Sequence, residues 1–147
     1  MRRNSQGFTL IELLIVIGII AILAAIVIVA VNPARQLAQA RNATRSASVN
    51  TVLNAVTQNI AENGSFVCAA GVIPASSTPI SSTTGDYNIC ACIVPTYVAE
   101  MPFDPSTGHF TDCTDYTTGY TILKTAENRV TISAPSAELG QTISVTR

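Results

Sequence analysis

The chain has 147 residues, 48% of them hydrophobic and 12% charged, with eight basic against nine acidic side chains and a formal net charge of −1. That length predicts one modest domain on an N-terminal helix and excludes a multidomain enzyme. With no Trp and four each of Phe and Tyr, the chain lacks the dense basic and aromatic surface by which nucleic acid is bound, which speaks against a nucleic-acid partner.

The first predicted element is a membrane helix. Phe8 to Val31 is a run of 24 residues with a single charge. At about 1.5 Å rise per residue it outreaches a hydrocarbon core of about 30 Å. A secretory signal peptide also starts with basic residues, here Arg2 and Arg3, but its apolar region covers only about 7 to 15 residues and carries no carboxylate near its start. A helix retained in the mature protein, with Arg2 and Arg3 on its cytoplasmic side, accounts for both features. Gly18, Ala21, Ala24 and Ala25 recur along it at spacings that let helices approach closely, which predicts a packing face.

The helix opens with Gly7-Phe8-Thr9-Leu10-Ile11-Glu12, after a short charged leader. These residues resemble the prepilin signal of type IV pilins and type II secretion pseudopilins. The resemblance implies that a membrane peptidase cuts on the cytoplasmic side between Gly7 and Phe8, that Phe8 becomes the N-methylated terminus, and that Glu12 matches the glutamate at the family's fifth mature position. The partners it implies are copies of the chain and related pilins in a filament, the prepilin peptidase, membrane lipid, and an inner-membrane assembly platform with its ATPase. Physical chemistry gives Glu12 the same weight. A carboxylate at the bilayer centre costs about 2.5–3.5 kcal/mol on insertion scales, unless a cation meets it. The Phe8 amine of a neighbouring copy would be such a cation, so Phe8 and Glu12 are the predicted assembly residues. The competing reading is that Glu12 only complements the helix dipole in its first turn.

Asn32-Pro33 interrupts the apolar run, as a kink within one helix or as an N-cap followed by proline at the first helical position. From Ala34 to Glu62 there is neither Gly nor Pro, and Val49, Val52, Leu53, Val56 and Ile60 form one helical stripe that is expected to pack on the rest of the domain. Asn63-Gly64 predicts a left-handed C-terminal stop. Arg35, Arg41 and Arg45 lie in the membrane-proximal half of this segment. They are expected to be solvated or to meet neighbouring subunits.

Beyond Gly64, seven acids face three bases, and short β-type runs alternate with Ser, Thr, Pro and Gly. Strands are predicted at Phe66 to Cys68, Tyr87 to Val94, Gly119 to Thr125, Arg129 to Ala134 and Thr142 to Thr146, with Ala75 to Gly85 as a polar loop. Gly119 to Ala134 reads as a hairpin, with Ile122, Val130 and Ile132 in its core. The predicted fold is α+β: a long N-terminal helix, apolar first and amphipathic later, packed on a small antiparallel sheet. The predicted divisions are a leader at 1–7, a membrane or filament-core helix at 8–31, its amphipathic continuation at 32–63 and a disulfide-braced β-rich head at 64–147.

All four cysteines, Cys68, Cys90, Cys92 and Cys113, fall in that head. An even count on the far side of a membrane predicts disulfides. Cys90 and Cys92, two apart in a strand, would be badly placed to bond to each other. Two connectivities stay open, 68–90 with 92–113 or 68–92 with 90–113. A zinc site from Cys90, Cys92, Cys113 and His109 is the alternative, and Cys-x-Cys is not the usual zinc-knuckle spacing. Met101-Pro102-Phe103-Asp104-Pro105 with Gly108 is similar to a region of major pseudopilins in which a nearby acidic loop can bind calcium. Here Asp112 and Asp115 could supply oxygen ligands to Ca²⁺, or simply shape a polar turn.

No nucleophile, base and orienting group assemble in the sequence, so no catalytic residue and no further cofactor is assigned. The reading is a structural subunit of a type IV pilus-like filament or pseudopilus, held by a single span in the inner membrane with its head outside the cytoplasm before assembly, and in an extracellular or periplasmic filament afterwards. The alternative is a membrane-anchored extracytoplasmic binding module that does not polymerise.

Overall fold

The computed structural model describes residues 7–147, so Arg2, Arg3 and the rest of the leader before Gly7 lie outside the described residues. Two helices come first, α1 (Leu10–Val31) and α2 (Pro33–Asn63). The chain divides into two compact units, one ending at Leu37 and the other running from Ala38 to Arg147.

Asn32 serves both helices. It ends α1 in the left-handed conformation, φ 45°, and its side-chain oxygen accepts the backbone N–H of Arg35 at 3.2 Å. Pro33 stands at the first helical position of α2, where its missing N–H costs nothing. The two expectations for Asn32-Pro33 thus merge into a break and a restart. At the other end of α2, Gly64 takes φ 78° and its N–H bonds back to the Ile60 carbonyl at 2.8 Å. This is the left-handed stop that Asn63-Gly64 predicts.

In the second unit, α2 and an antiparallel sheet share one buried cluster. The strands are β1 (Thr78–Ser81), β2 (His109–Asp112), β3 (Asp115–Lys124), β4 (Val130–Ala134) and β5 (Ile143–Thr146), with a short helix α3 (Cys90–Ile93) between β1 and β2. The order is β1-β3-β4-β5, with β2 paired to the first part of β3. Along β3 the residues Tyr116, Thr118, Tyr120 and Ile122 alternate into the core, as a period of two requires. Ile122 lies opposite Ile132, and Ile132 opposite Val145. Val49, Val52, Leu53 and Val56 of α2 are fully buried in the same cluster, with Ile60 half-buried beside it. The architecture is α+β and pilin-like, an N-terminal apolar helix continuing into a second helix, with a five-stranded antiparallel sheet.

Several predicted strands are corrected. Phe66 to Cys68 is irregular, and the N–H of Val67 is taken by the side chain of Asn59 at 2.9 Å instead of a strand partner. Tyr87 to Val94 contains α3 and no strand. The reason lies in its cysteines. Residues two apart in a strand point the same way, whereas at about 100° per residue on a helix they diverge by about 200°, so Cys90 and Cys92 can reach partners on opposite sides. Within the polar loop Ala75 to Gly85, Thr78 to Ser81 pairs with β3 because Ile80, wholly buried, has a place under the sheet. The predicted strand from Gly119 starts earlier, at Asp115, and forms a hairpin with β2.

Candidate functional site

The N-terminus of α1 is built on a reciprocal cap. Thr9, in extended conformation at φ −78° and ψ 153°, is the N-cap. Its hydroxyl oxygen accepts the Glu12 N–H at 3.2 Å and donates to Glu12 Oε2 at 2.8 Å, and its backbone N–H donates to the same oxygen at 2.8 Å. Thr at the cap with Glu three residues on is the capping box that satisfies orphan donors at a helix start. Oε1 of Glu12 has no hydrogen-bond partner among the described residues. The dipole role of Glu12 is therefore met through one oxygen, and the other is open to a second partner.

Phe8 precedes the cap and is 89% exposed. Gly7 has open space around it: a Cβ there would meet nothing within 4 Å. Gly18 has the same open surroundings, and Ala21, Ala24 and Ala25 are exposed, so the small-residue face of α1 is uncovered. Leu10–Ile28 is long and apolar enough to cross a membrane, and none of it is buried.

A family model described as the prokaryotic N-terminal methylation motif matches residues 2–28. The chain carries that motif. It is the class III prepilin signal of type IV pilins and pseudopilins, and together with α1 it marks a membrane-anchored, pilin-like protein bearing a prepilin signal. No curated protein and no solved structure matches the chain.

The cysteines of the head form two bridges, Cys68 to Cys92 and Cys90 to Cys113, each with its Cα atoms 5.2 Å apart. Of the two connectivities left open by the sequence, this is the second, and it removes the alternative zinc site, since no thiolate remains for a metal. His109 faces Asp115 instead, Nε2 to Oδ1 at 3.2 Å. Asp112 Oδ1 accepts the backbone N–H groups of Thr114 and Asp115 and the Thr114 hydroxyl, the pattern of a side chain closing its own turn. Asp112 and Asp115 are thus directed to different partners. Among the described residues, no three His, Cys, Asp or Glu side chains gather to hold a metal ion.

The reading of Arg45 as solvated or subunit-facing is also corrected, while Arg41 is partly exposed and paired within the chain. Arg45 is wholly buried and reaches Asp104 with Nε 2.6 Å from Oδ2. Its Nη1 reaches Glu138 Oε2 at 2.8 Å, and Arg41 clamps both oxygens of Glu138 at 2.6 and 2.7 Å. Asn42 completes the set by exchanging bonds with the Glu138 backbone, its Nδ2 to the carbonyl at 2.8 Å and its Oδ1 from the N–H at 2.9 Å. Burial pushes the Asp104 carboxyl up, but the bond from Arg45 and those from Ser106 and Thr107 outweigh it and hold it well below the usual carboxylate range. Hydrogen bonds from Arg41 and then Arg45 lower Glu138 to about 2. A signal for this network was present: Ala38, Asn42 and Arg45 continue the buried stripe of Val49 and Val52 toward the N-terminus at helical spacing. A stripe traced by apolar residues alone ends at Val49.

Proposed function

We propose that this chain is a structural subunit of a type IV pilus-like filament or pseudopilus, and not an enzyme. A prepilin peptidase cleaves between Gly7 and Phe8, Phe8 is methylated, and the subunit polymerises through its N-terminal helix. A single observation carries the reading: α1 holds 22 residues with every described side chain exposed and one carboxylate, Glu12, in its first turn. Such a surface is stable only in lipid or against other helices, since burying one large aliphatic side chain is worth about 1.5–3 kcal/mol. In lipid alone Glu12 serves only the cap, through Oε2, whereas a bundle of copies also engages Oε1. The new Phe8 amine of one copy, set against the open Oε1 of another, neutralises both charges in a dry core and fixes the axial register.

In this reading the span lies in the inner membrane with the head outside the cytoplasm until an ATPase-driven platform extracts it into a filament. The test combines intact mass with fibre recovery. With the matching peptidase, the chain should begin at methylated Phe8, and the same species should be found in sheared fibres. Glu12→Ala should leave insertion and cleavage unchanged and abolish the fibres. A chain that keeps its leader, or normal fibres from Glu12→Ala, overturns the proposal; the first outcome leaves a membrane-anchored module.

A further inference from the structure

The second unit carries a cavity of about 320 Å³ where α2 ends, walled by Ile60, Phe66, Ile73 and Val130, with Val72 on its rim and Lys124 beside it. Val72 is 86% exposed, an unusual state for a valine beside a ready apolar surface. Among the described residues no carboxylate pairs with Lys124. The socket thus combines an apolar wall with the polar side chains of Ser65 and Asn128 and one unpaired positive charge, and its volume is at the small end of the range of about 300–1,000 Å³ for ligand pockets. That leaves room for one large side chain.

The same unit holds a segment of matching chemistry. Phe103, on the loop before β2, is 42% exposed although it is large and apolar. Glu100, three residues earlier, is exposed and has no ion-pair partner among the described residues. Phe103 precedes Asp104, which is locked to Arg45, whereas the socket is at Ile60. Fifteen positions along α2 separate these levels, about 22 Å at about 1.5 Å per residue. The chain enters this loop near the end of α2, where the Tyr97 hydroxyl donates to Glu62 at 2.8 Å, but Phe103, pinned beside Asp104, cannot reach the socket of its own chain.

We infer that the socket is occupied by the Glu100–Phe103 loop of a second copy of this chain, Phe103 entering the apolar wall and Glu100 pairing with Lys124. Charge complementarity between Glu100 and Lys124, beside an exposed Phe103, selects this occupant. Knob and socket are different patches, so in a filament each copy can offer its loop to one neighbour and its socket to another, and the contact then propagates along the polymer. The inference rests on the filament reading, in which helices joined through Glu12 hold heads at high effective concentration and make a small contact sufficient.

The test uses the full chain, expressed as an equal mixture of unlabelled and ¹⁵N-labelled protein, treated with a carbodiimide in assembled fibres and in membranes. The reagent activates a carboxylate, and an amine in contact displaces it to form an amide. The expected result is a Lys124–Glu100 peptide of mixed isotope content. In parallel, Lys124→Glu and Glu100→Lys should each lower fibre yield by about tenfold, since the contact repeats along the polymer, the charge-swapped double variant should recover most of it, and Phe103→Ser should fall as the single reversals do. Both disulfides intact in each variant, read as a loss of four hydrogens, show that the heads still fold. Cross-links of single isotope content, undiminished fibres in the single variants, or no recovery in the double variant overturn the contact. If Glu12→Ala still abolishes fibres in that case, the filament reading stands without it. If the unaltered chain forms neither fibres nor mixed cross-links, both fall.

Discussion

Arg45 and Asp104 meet with both side chains wholly withdrawn from water, Nε to Oδ2 at 2.6 Å and Nη2 to Oδ1 at 3.2 Å. The guanidinium fork matches the two carboxylate oxygens, and Asn42, Glu138 and Ser106 take its remaining donors. The pair ties the loop before β2 to α2 across 59 residues of sequence. Removing one partner strands the other: breaking a buried pair costs about 3–5 kcal/mol. Asp104→Ala is therefore expected to destabilise the head by that amount in urea unfolding of the full chain in detergent, followed by near-ultraviolet tyrosine dichroism. Arg45→Lys should also destabilise, because an ammonium cannot reproduce the fork. An Asp104→Ala protein within about 1 kcal/mol of the parent, the scale of an exposed ion pair, would remove the pair from any account of stability.

The same two carboxylates set the response to acid. Asp104 and Glu138 are both held below their ordinary values, Glu138 at about 2. A group depressed in the folded state stabilises above its unfolded pKa and loses that contribution as the pH falls through its folded value. Head stability should thus be insensitive to these two groups from pH 7 to about pH 5, and fall as the pH drops from about 4 towards 2. Glu138→Gln should flatten part of the fall. Unfolding midpoints measured at successive pH values decide this, and an unchanged acid limb in Glu138→Gln would count against the Glu138 contribution.

Local patterns in the chain disclose the elements whose stability is local. The apolar run of α1, the stop at Asn63-Gly64 and the hairpin from β3 to β4, turned through Asn128 at φ 62°, follow from periodicity and turn chemistry. The core positions Ile122, Val130 and Ile132 follow from alternation and are buried. Elements fixed by distant partners are hidden. Thr78 to Ser81 reads as loop because its only large apolar residue is Ile80, and it becomes a strand through β3, some 40 residues away. Cys90 to Ile93 looks extended until its two disulfides are known to diverge. Arg45 looks solvated because the acid that buries it lies 59 positions on. At the assembly site, Phe8 and Glu12 are legible from the signal itself. The Thr9 half of the cap is legible as a spacing, Thr with Glu three residues later, yet the family resemblance draws attention to Glu12 alone.

The bridges from α3 make opposite demands on one short helix, Cys92 toward Cys68 and Cys90 toward Cys113. Each spans 23 or 24 positions, and a loop of that size is worth about 2–4 kcal/mol. Replacing Cys90 and Cys113 together by Ser should destabilise the head by that amount while leaving the Cys68–Cys92 bridge in place. Peptide mapping of the parent without reduction should recover 68 joined to 92 and 90 joined to 113. A map joining 68 to 90 would overturn the connectivity and with it the reason for α3.

Gly119 bends β3 against the loop that carries Asp104. It holds φ 73°, and a Cβ there would meet Thr107 Oγ1 at 2.7 Å and Asp104 Cβ at 2.8 Å. Gly140 has a similar φ of 68° with nothing within 4 Å. Gly119→Ala and Gly140→Ala therefore share a backbone cost of about 1 kcal/mol or slightly more, and only the first adds a clash. Gly119→Ala is expected to be the more destabilising by a further 1–3 kcal/mol, roughly the cost of overpacking. Equal losses in the two variants, measured by urea unfolding, would show that the loop yields freely at Asp104.

Thr9 tests how far the assembly role of Glu12 depends on its being held in place. The Thr9 hydroxyl and backbone N–H both bind Glu12 Oε2, which directs one oxygen back into the cap and leaves Oε1 for a neighbour's amine. Thr9→Ala removes one of those two donors and the acceptor for the Glu12 N–H, a cap loss of about 0.5–2 kcal/mol. The carboxylate keeps its charge but loses its fixed direction. Fibre yield should drop several-fold without vanishing, in contrast to Glu12→Ala, and Thr9→Ser, which keeps the hydroxyl, should restore it. The readout is the sheared fraction normalised to processed subunit in the membrane, so that any change in cleavage is divided out. Full fibre yield from Thr9→Ala would show that the incoming amine orients the carboxylate unaided, and that the capping box serves only the helix.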